Sequence, residues 1–307
     1  MKYLPFLNGK YSTAPGLTLM EKAAQSIDGM VFQIDDCYEH YLHNKQACRE
    51  EDIKKYYCEK ILWTNTLAAV NWFIIQRLLK EYPKDFVLEK THRYWQLENK
   101  KTGAILRWNM ENELLKGTEY ISLFDALCCQ VQEDMAICQV NRDEDWVAAI
   151  HLCAPNHWAP ADKIGRPFDA VHAGVAGMEK TTKHYGKMLE SLVNKGPFSR
   201  FAWGISTDIR LNHHPEAPQG ADRDEWYGRR AKGTQTNLYV RTERQTLIGF
   251  PGVNAFLFTI RTYFYDIDTL ETHEKMALAS AINSMSAASL AYKGLTDKIK
   301  MLRERLA

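Results

Sequence analysis

The sequence predicts an α+β protein, and three observations carry that reading. Residues 35–82 hold few helix breakers, two long β-rich runs flank the connection Pro251-Gly252-Val253, and residues 270–306 return to helical spacing. The expected organisation is a mainly helical region with a hairpin over 1–120, a mixed sheet-bearing core over 121–268 and C-terminal helices over 269–307.

Taken in order, Pro5, Gly9, Pro15 and Gly16 punctuate an irregular opening. Residues 62–79 carry Leu67, Val70, Trp72, Phe73, Ile74 and Ile75, a broad apolar stripe that predicts a well-buried helix. Tyr94-Trp95-Gln96-Leu97 and Ala104-Ile105-Leu106-Arg107-Trp108 flank a turn ending in Gly103, which predicts a hairpin. Residues 123–140 read as a helix passing into a strand, 147–153 as a short strand, and 162–172 as a short helical stretch interrupted at Gly165 and Pro167. The segment 217–236 is rich in Gly, Asp, Arg and Thr without apolar periodicity, so it is expected to be a long surface loop of the sort kept for a function or a partner. Gly294 is expected to break the closing helical region.

The strand pair 237–250 and 254–266 is the most informative segment. A three-residue connection sets 250 opposite 254 and, further along, Glu243 opposite Arg261 and Arg241 opposite Tyr263. Alternation then gives an apolar even face and a polar odd face holding Arg241, Glu243, Arg261 and Tyr263 together. Two readings of that patch stay open. One is a solvent face with a cross-strand ion pair worth about 0.2–1 kcal/mol. The other is a pocket wall, where guanidinium and carboxylate polarise a ligand.

Composition removes several function classes. The 39 basic and 38 acidic residues leave a charge of +1 with no run of five or six like charges, so a nucleic-acid partner is not expected. The longest apolar stretch, 67–75, is broken by Asn71 and is about half of what a membrane span needs. The N-terminus shows no signal pattern, so a cytoplasmic location is expected. Seven cysteines without a C-x-x-C are expected to be reduced, buried thiols. The hydrolase, P-loop and dinucleotide motifs are missing.

Residues 153–177 are rich in Pro, Gly, Trp and His, and a helix ending at His172 would present its imidazole beside a glycine-bearing bend. Haem iron is commonly held by one such histidine, whereas the plainer reading is a hydrogen-bonded structural histidine. His213 and His214 are adjacent and no H-E-x-x-H occurs, which gives a zinc hydrolase little support.

Several strings together resemble one family. Val131-Gln132-Glu133-Asp134-Met135, Asp162-Lys163-Ile164-Gly165-Arg166-Pro167, Val171-His172-Ala173, Val240-Arg241-Thr242-Glu243-Arg244-Gln245-Thr246-Leu247 and Leu257-Phe258-Thr259-Ile260-Arg261-Thr262-Tyr263 are similar to the haem-dependent oxidative N-demethylase α-subunit family. The resemblance implies a PAS-like antiparallel sheet core that binds haem, with a helical N-terminal extension and C-terminal helices. It implies His172 as the axial ligand of the haem iron, Arg244 and Trp158 beside the cofactor, and Glu243, Arg241, Arg261 and Tyr263 as the oxygen and amine pocket. It also implies oxidative N-demethylation of a small alkylamine such as dimethylamine by O2. Electrons would come from a separate NADPH-dependent reductase carrying flavin and an iron–sulfur cluster, and tetrahydrofolate would be a further cofactor. Two strings depart from the family pattern: Ala173-Gly174-Val175-Ala176 stands for Ala-Pro-Val-Pro, and Arg200-Phe201-Ala202-Trp203 for Arg-x-Asn-Trp. Because one fold can serve sensing and catalysis, a non-catalytic haem-binding PAS-like sensor and a PAS-like scaffold without haem are the alternatives.

Overall fold

The structure, a computed structural model, describes residues 2–20, 27–115, 119–142, 144–227 and 237–306. It is a mixed helix and antiparallel-sheet protein, as the breaker-free and β-rich runs predict. Ten strands occur among the described residues: β1 (Thr18–Leu19), β2 (Tyr57–Glu59), β3 (Phe86–Lys90), β4 (Trp95–Asn99), β5 (Ala104–Trp108), β6 (Asp134–Val140), β7 (Asp145–His151), β8 (Phe198–Ser206), β9 (Tyr239–Phe250) and β10 (Ala255–Asp266). The helices are α1 (Tyr38–Tyr56), α2 (Thr64–Glu81), α3 (Leu123–Cys128), α4 (Phe168–His172), α5 (Glu179–Lys183), α6 (Tyr185–Asn194), α7 (Arg223–Tyr227), α8 (Thr272–Asn283), α9 (Ala287–Tyr292) and α10 (Ile299–Leu306).

A seven-stranded sheet in the order β1-β8-β9-β10-β6-β7-β2 forms the centre, with every pairing antiparallel. Its two outermost strands come from the N-terminal region. The expected hairpin is β4 and β5, and a third strand, β3, pairs onto it to make a separate small sheet. Three helices close the chain, and Gly294 at φ 64° follows the end of α9. The 217–236 segment contains α7, and its residues 228–236 lie outside the described residues.

Both faces of the large sheet are covered. Val70, Ile74, Ile75 and Leu78 of α2, with Phe124 and Leu127 of α3, pack with Ile248 and Leu257 on one face. The same face, farther along, meets the C-terminal helices through Val240, Leu278, Ala281 and Leu302. On the opposite face α6 buries Leu189, Leu192 and Val193 against Leu247 and Phe256. A Cβ at Gly249 would lie 2.1 Å from the Val193 carbonyl oxygen, so the missing side chain is what lets the end of α6 touch β9. Beside α6, Val171 of α4 joins Trp158, Ile150, Phe258 and Ile260 on that second face. No helix is long and apolar enough to cross a membrane among the described residues.

Candidate active site

The phase of β9 against β10 decides which side chains meet. Phe250 lies opposite Ala255, not 254, because the connection has four residues: a turn over Pro251–Val253 and then Asn254 in the left-handed region at φ 48°. Arg241 therefore faces Phe264, Glu243 faces Thr262, Thr242 faces Tyr263, and Arg244 faces Arg261. A slip of one residue reverses the sides of an entire strand. The expected single patch is thus divided. Arg241 and Glu243 lie on one face of the sheet, and Arg261 and Tyr263 lie on the other, together with Arg244.

On the second of these faces the two guanidiniums and the tyrosine hydroxyl are bonded to the protein's own atoms, with Arg261 Nε left without an acceptor among the described residues. Arg244 donates to the carbonyls of Asp28 at 2.9 Å and Met30 at 2.7 Å. The Arg261 guanidinium spans both Asp35 oxygens at 2.9 and 3.1 Å, donates to the Thr262 carbonyl at 2.7 Å, and lies 3.8 Å over the Tyr41 ring. Tyr263 donates its hydroxyl to Gln33 Oε1, and the backbone N–H of Gln33 donates to Glu133 at 2.8 Å. Burial lifts the Glu133 carboxyl to about 7 against the pull of Arg261. These residues fasten the 28–35 segment to the sheet. Arg244, expected beside the cofactor, is separated from His172 by the sheet itself.

The Arg241 face is built differently. Arg241 Nη2 donates to the Ala154 carbonyl at 2.7 Å and Nη1 donates to His213 Nδ1 at 2.9 Å. Since Nδ1 of His213 accepts, its Nε2 carries the proton and donates to Asp208 at 2.9 Å. Burial holds His213 below the ordinary imidazole range, so it stays neutral near pH 7. Two loops meet over this arginine through a bridge between Asn156 and His213, and the His157 ring stacks on His213 at 5.2 Å from a backbone φ of 62°. Glu243 accepts from Gln245 Nε2 at 3.0 Å and Asn156 Nδ2 at 3.5 Å, and lies 3.9 Å from Arg241 Nε. Ala202 of β8 sits directly opposite Glu243, and Arg200 opposite Gln245. Lys163 stands 3.8 Å above the Trp158 ring, where burial pushes its ammonium down to about 8 despite Glu243.

His172 closes α4, the short helix packed on this same face. Its Nδ1 donates to the Phe168 carbonyl one turn earlier at 2.8 Å, and its ring lies on Phe168 with centroids 4.1 Å apart. Phe168 is itself anchored, because its backbone N–H donates to Asp145 at 2.6 Å. With Nδ1 fixed as the donor, Nε2 keeps its lone pair. Burial drives the ring down to about 4, against that hydrogen bond, and Lys163 and Arg200 press it further down. A neutral imidazole of fixed tautomer results, lining an open groove of about 310 Å³ with Asp169, Ala173, Met178 and Glu179. Metal-ligating histidines are held in this way by an outer hydrogen bond. The residues present therefore fit an axial haem ligand.

The family model for haem-dependent oxidative N-demethylase, alpha subunit-like, matches residues 24–302. The chain belongs to that family. Haem dependence is part of that family's description.

A second polar cluster lies elsewhere. His151 Nε2 is 3.1 Å from Asp125 and 3.8 Å from Cys129, with Cys153 at 3.9 Å from Nδ1, all buried. Arg49 donates to Asp125 at 2.6 Å and Lys45 lies 3.7 Å from Asp134, so the carboxylates there already have cations. All seven cysteines are free thiols.

Reasoning from the sequence missed Lys163, Arg200, Asn156, Gln245, His213 and Asp208 at the site. Alternation along β8 could have found Arg200, and Asn156 and Lys163 fall in the Pro- and Trp-rich stretch already singled out. The pairing of Arg241 with His213 and Asp208 had no local signal, since the contact joins residues 28 apart in sequence.

Proposed function

We propose that this chain is the haem-binding catalytic subunit of an oxidative N-demethylase, with a PAS-like core, His172 as axial ligand, and a small secondary or tertiary amine as substrate. The observation that carries the reading is the His172 ring: neutral, held through Nδ1 by Phe168, with Nε2 available. Haem held there would supply O2 activation, and over the whole reaction dimethylamine, O2, two protons and two electrons from a separate flavin and iron–sulfur reductase would give methylamine, formaldehyde and water.

The protein's part is binding and orientation. Glu243 is the group suited to accept an N–H from the amine, and Gln245 and Asn156 hold its carboxylate in place. Arg241 is in turn fixed by Ala154 and by the Asp208–His213 pair, so its Nε, which lacks a close acceptor, points its charge at Glu243. Trp158, Ile260 and Phe258 form an apolar wall that limits water beside these groups.

The test is reconstitution with haem followed by titration with dimethylamine. A stoichiometric Soret band that shifts with amine, and formaldehyde release when a reductant is supplied, is the expected result. Absence of stoichiometric haem overturns the reading, and a Soret band indifferent to every amine tried reduces it to haem binding alone.

A further inference from the structure

We infer that Thr262 is a second substrate-contacting residue, whose hydroxyl accepts one N–H of the amine while Glu243 accepts another. The inference rests on the reading of Glu243 as the partner of the amine, and it adds to that reading a residue and a rule of selection. Two strand pairings place it. Glu243 lies directly opposite Ala202 of β8 on one side and Thr262 of β10 on the other, so the three side chains form one row across the face that carries Arg241. Thr262 is 1% exposed, and its Oγ1 is buried with no hydrogen-bond partner among the described residues. Arg241 Nε, which also lacks an acceptor, lies 3.9 Å from Glu243, so two unsatisfied polar atoms flank this one carboxylate.

The other threonines of the strand pair set the contrast. Thr242, Thr246 and Thr259 are equally buried but lie on the opposite face. Thr242 donates to the Tyr3 carbonyl at 3.0 Å, and the hydroxyls of Thr246 and Thr259 bond to each other at 2.6 Å. A buried hydroxyl left unpaired costs the fold stability, whereas valine has the same shape without that cost. A threonine beside Glu243 therefore points to a partner that arrives with the ligand. Directly opposite side chains have Cβ atoms about 4.5–5.5 Å apart, so one ammonium nitrogen between Glu243 and Thr262 reaches both oxygens. A dialkylammonium has two N–H donors, one for the carboxylate and one for the hydroxyl. A trialkylammonium has a single N–H, which the carboxylate takes, and its third alkyl group leaves the hydroxyl unpaired. Ala202, half-buried on the other flank, offers the amine no hydrogen bond and leaves room for an alkyl substituent. A buried polar group left without its partner discriminates between ligands more sharply than the size of one methyl group does.

The experiment is isothermal titration calorimetry of the full chain, with and without added haem, using dimethylamine and trimethylamine at a pH where both are protonated. Wild type, Thr262→Val, Thr262→Ser and Glu243→Gln are compared. Wild type is expected to prefer dimethylamine by roughly tenfold, the size of one hydrogen bond to a charged group. Thr262→Val brings the two amines to within about twofold, Thr262→Ser keeps the preference, and Glu243→Gln weakens both amines. A merely structural hydroxyl would lower the melting temperature of Thr262→Val and leave the ratio of the two affinities where it was, which overturns the assignment. Thr262→Ala takes the place of the valine variant if that one does not fold, and is read in the same way. Wild type that binds both amines equally while Glu243→Gln weakens them overturns Thr262 alone and leaves Glu243 standing. Wild type that binds neither amine overturns the Glu243 reading and this one with it.

Discussion

Glu243 and Arg261 are 18 positions apart on one hairpin, yet they answer to different environments, and this separates function from stability residue by residue. Glu243→Gln removes the charge that would receive an amine while leaving one carbonyl oxygen to accept from Gln245 or Asn156. Amine affinity is expected to fall roughly tenfold with haem content unchanged, the scale of a charge-assisted hydrogen bond in a half-buried site, and an amine titration of the haem-loaded protein measures it. Unchanged affinity would reduce Glu243 to an ordinary partner of Arg241. Arg261→Met acts on the other face. It strips the cation from Asp35 and from the buried Glu133, at a cost of about 2–3 kcal/mol, below the fully buried range because Asp35 is 33% exposed. Denaturant unfolding should show that loss, and the folded variant should bind amine as wild type does. A changed amine affinity at normal stability would return Arg261 to the pocket.

At the scale of single elements, α4 and the β9–β10 connection carry the argument. The five residues of α4 are too few to be stable alone, so the helix depends on the Asp145 cap to Phe168 and on Val171 packed against the sheet. His172 takes its position from that support. His172→Ala is expected to abolish stoichiometric haem retention, read as loss of the Soret band with unchanged far-UV circular dichroism. Burial holds the ring at about 4, so it is neutral above that pH and protonated below. Haem binding should therefore persist down to about pH 5 and fail as pH drops through about 4, and failure beginning near pH 6.5 with the fold intact would sink the buried-imidazole assignment. Asn254 supplies the extra residue of the turn in a left-handed conformation. Asn254→Gly should be near neutral, while Asn254→Val should cost about 1–2 kcal/mol of stability in thermal or denaturant unfolding.

Across the whole molecule, the sheet is held between two layers, and its buried polar groups set a pH window for stability. Burial opposes a charged His151, but Cys153 and the Asp125 carboxylate outweigh it and hold the ring at about 9, above its unfolded value near 6.5. A raised basic group contributes fully below pH 6.5 and loses its contribution as pH rises toward 9. The melting temperature should fall across that window, and His151→Gln should flatten the slope; an equal slope in the variant would show the titrating group to be another. Much of this was legible in the sequence. The helix of residues 62–79, the hairpin around Gly103, the helix-to-strand passage at 123–140 and the short helix ending at His172 each appear in the structure within a few residues, because each depends on local periodicity and breakers. The strands β2 and β3 were not read, since three to five residues leave too little alternation to see. The sequence by itself determined the α+β class, the presence of a long β9–β10 pair and the histidine at the end of α4. Tertiary structure alone decided which charges share a face, because alternation gives each strand two sides but not their phase, and one left-handed residue at Asn254 turned Arg261 and Tyr263 away from Arg241 and Glu243.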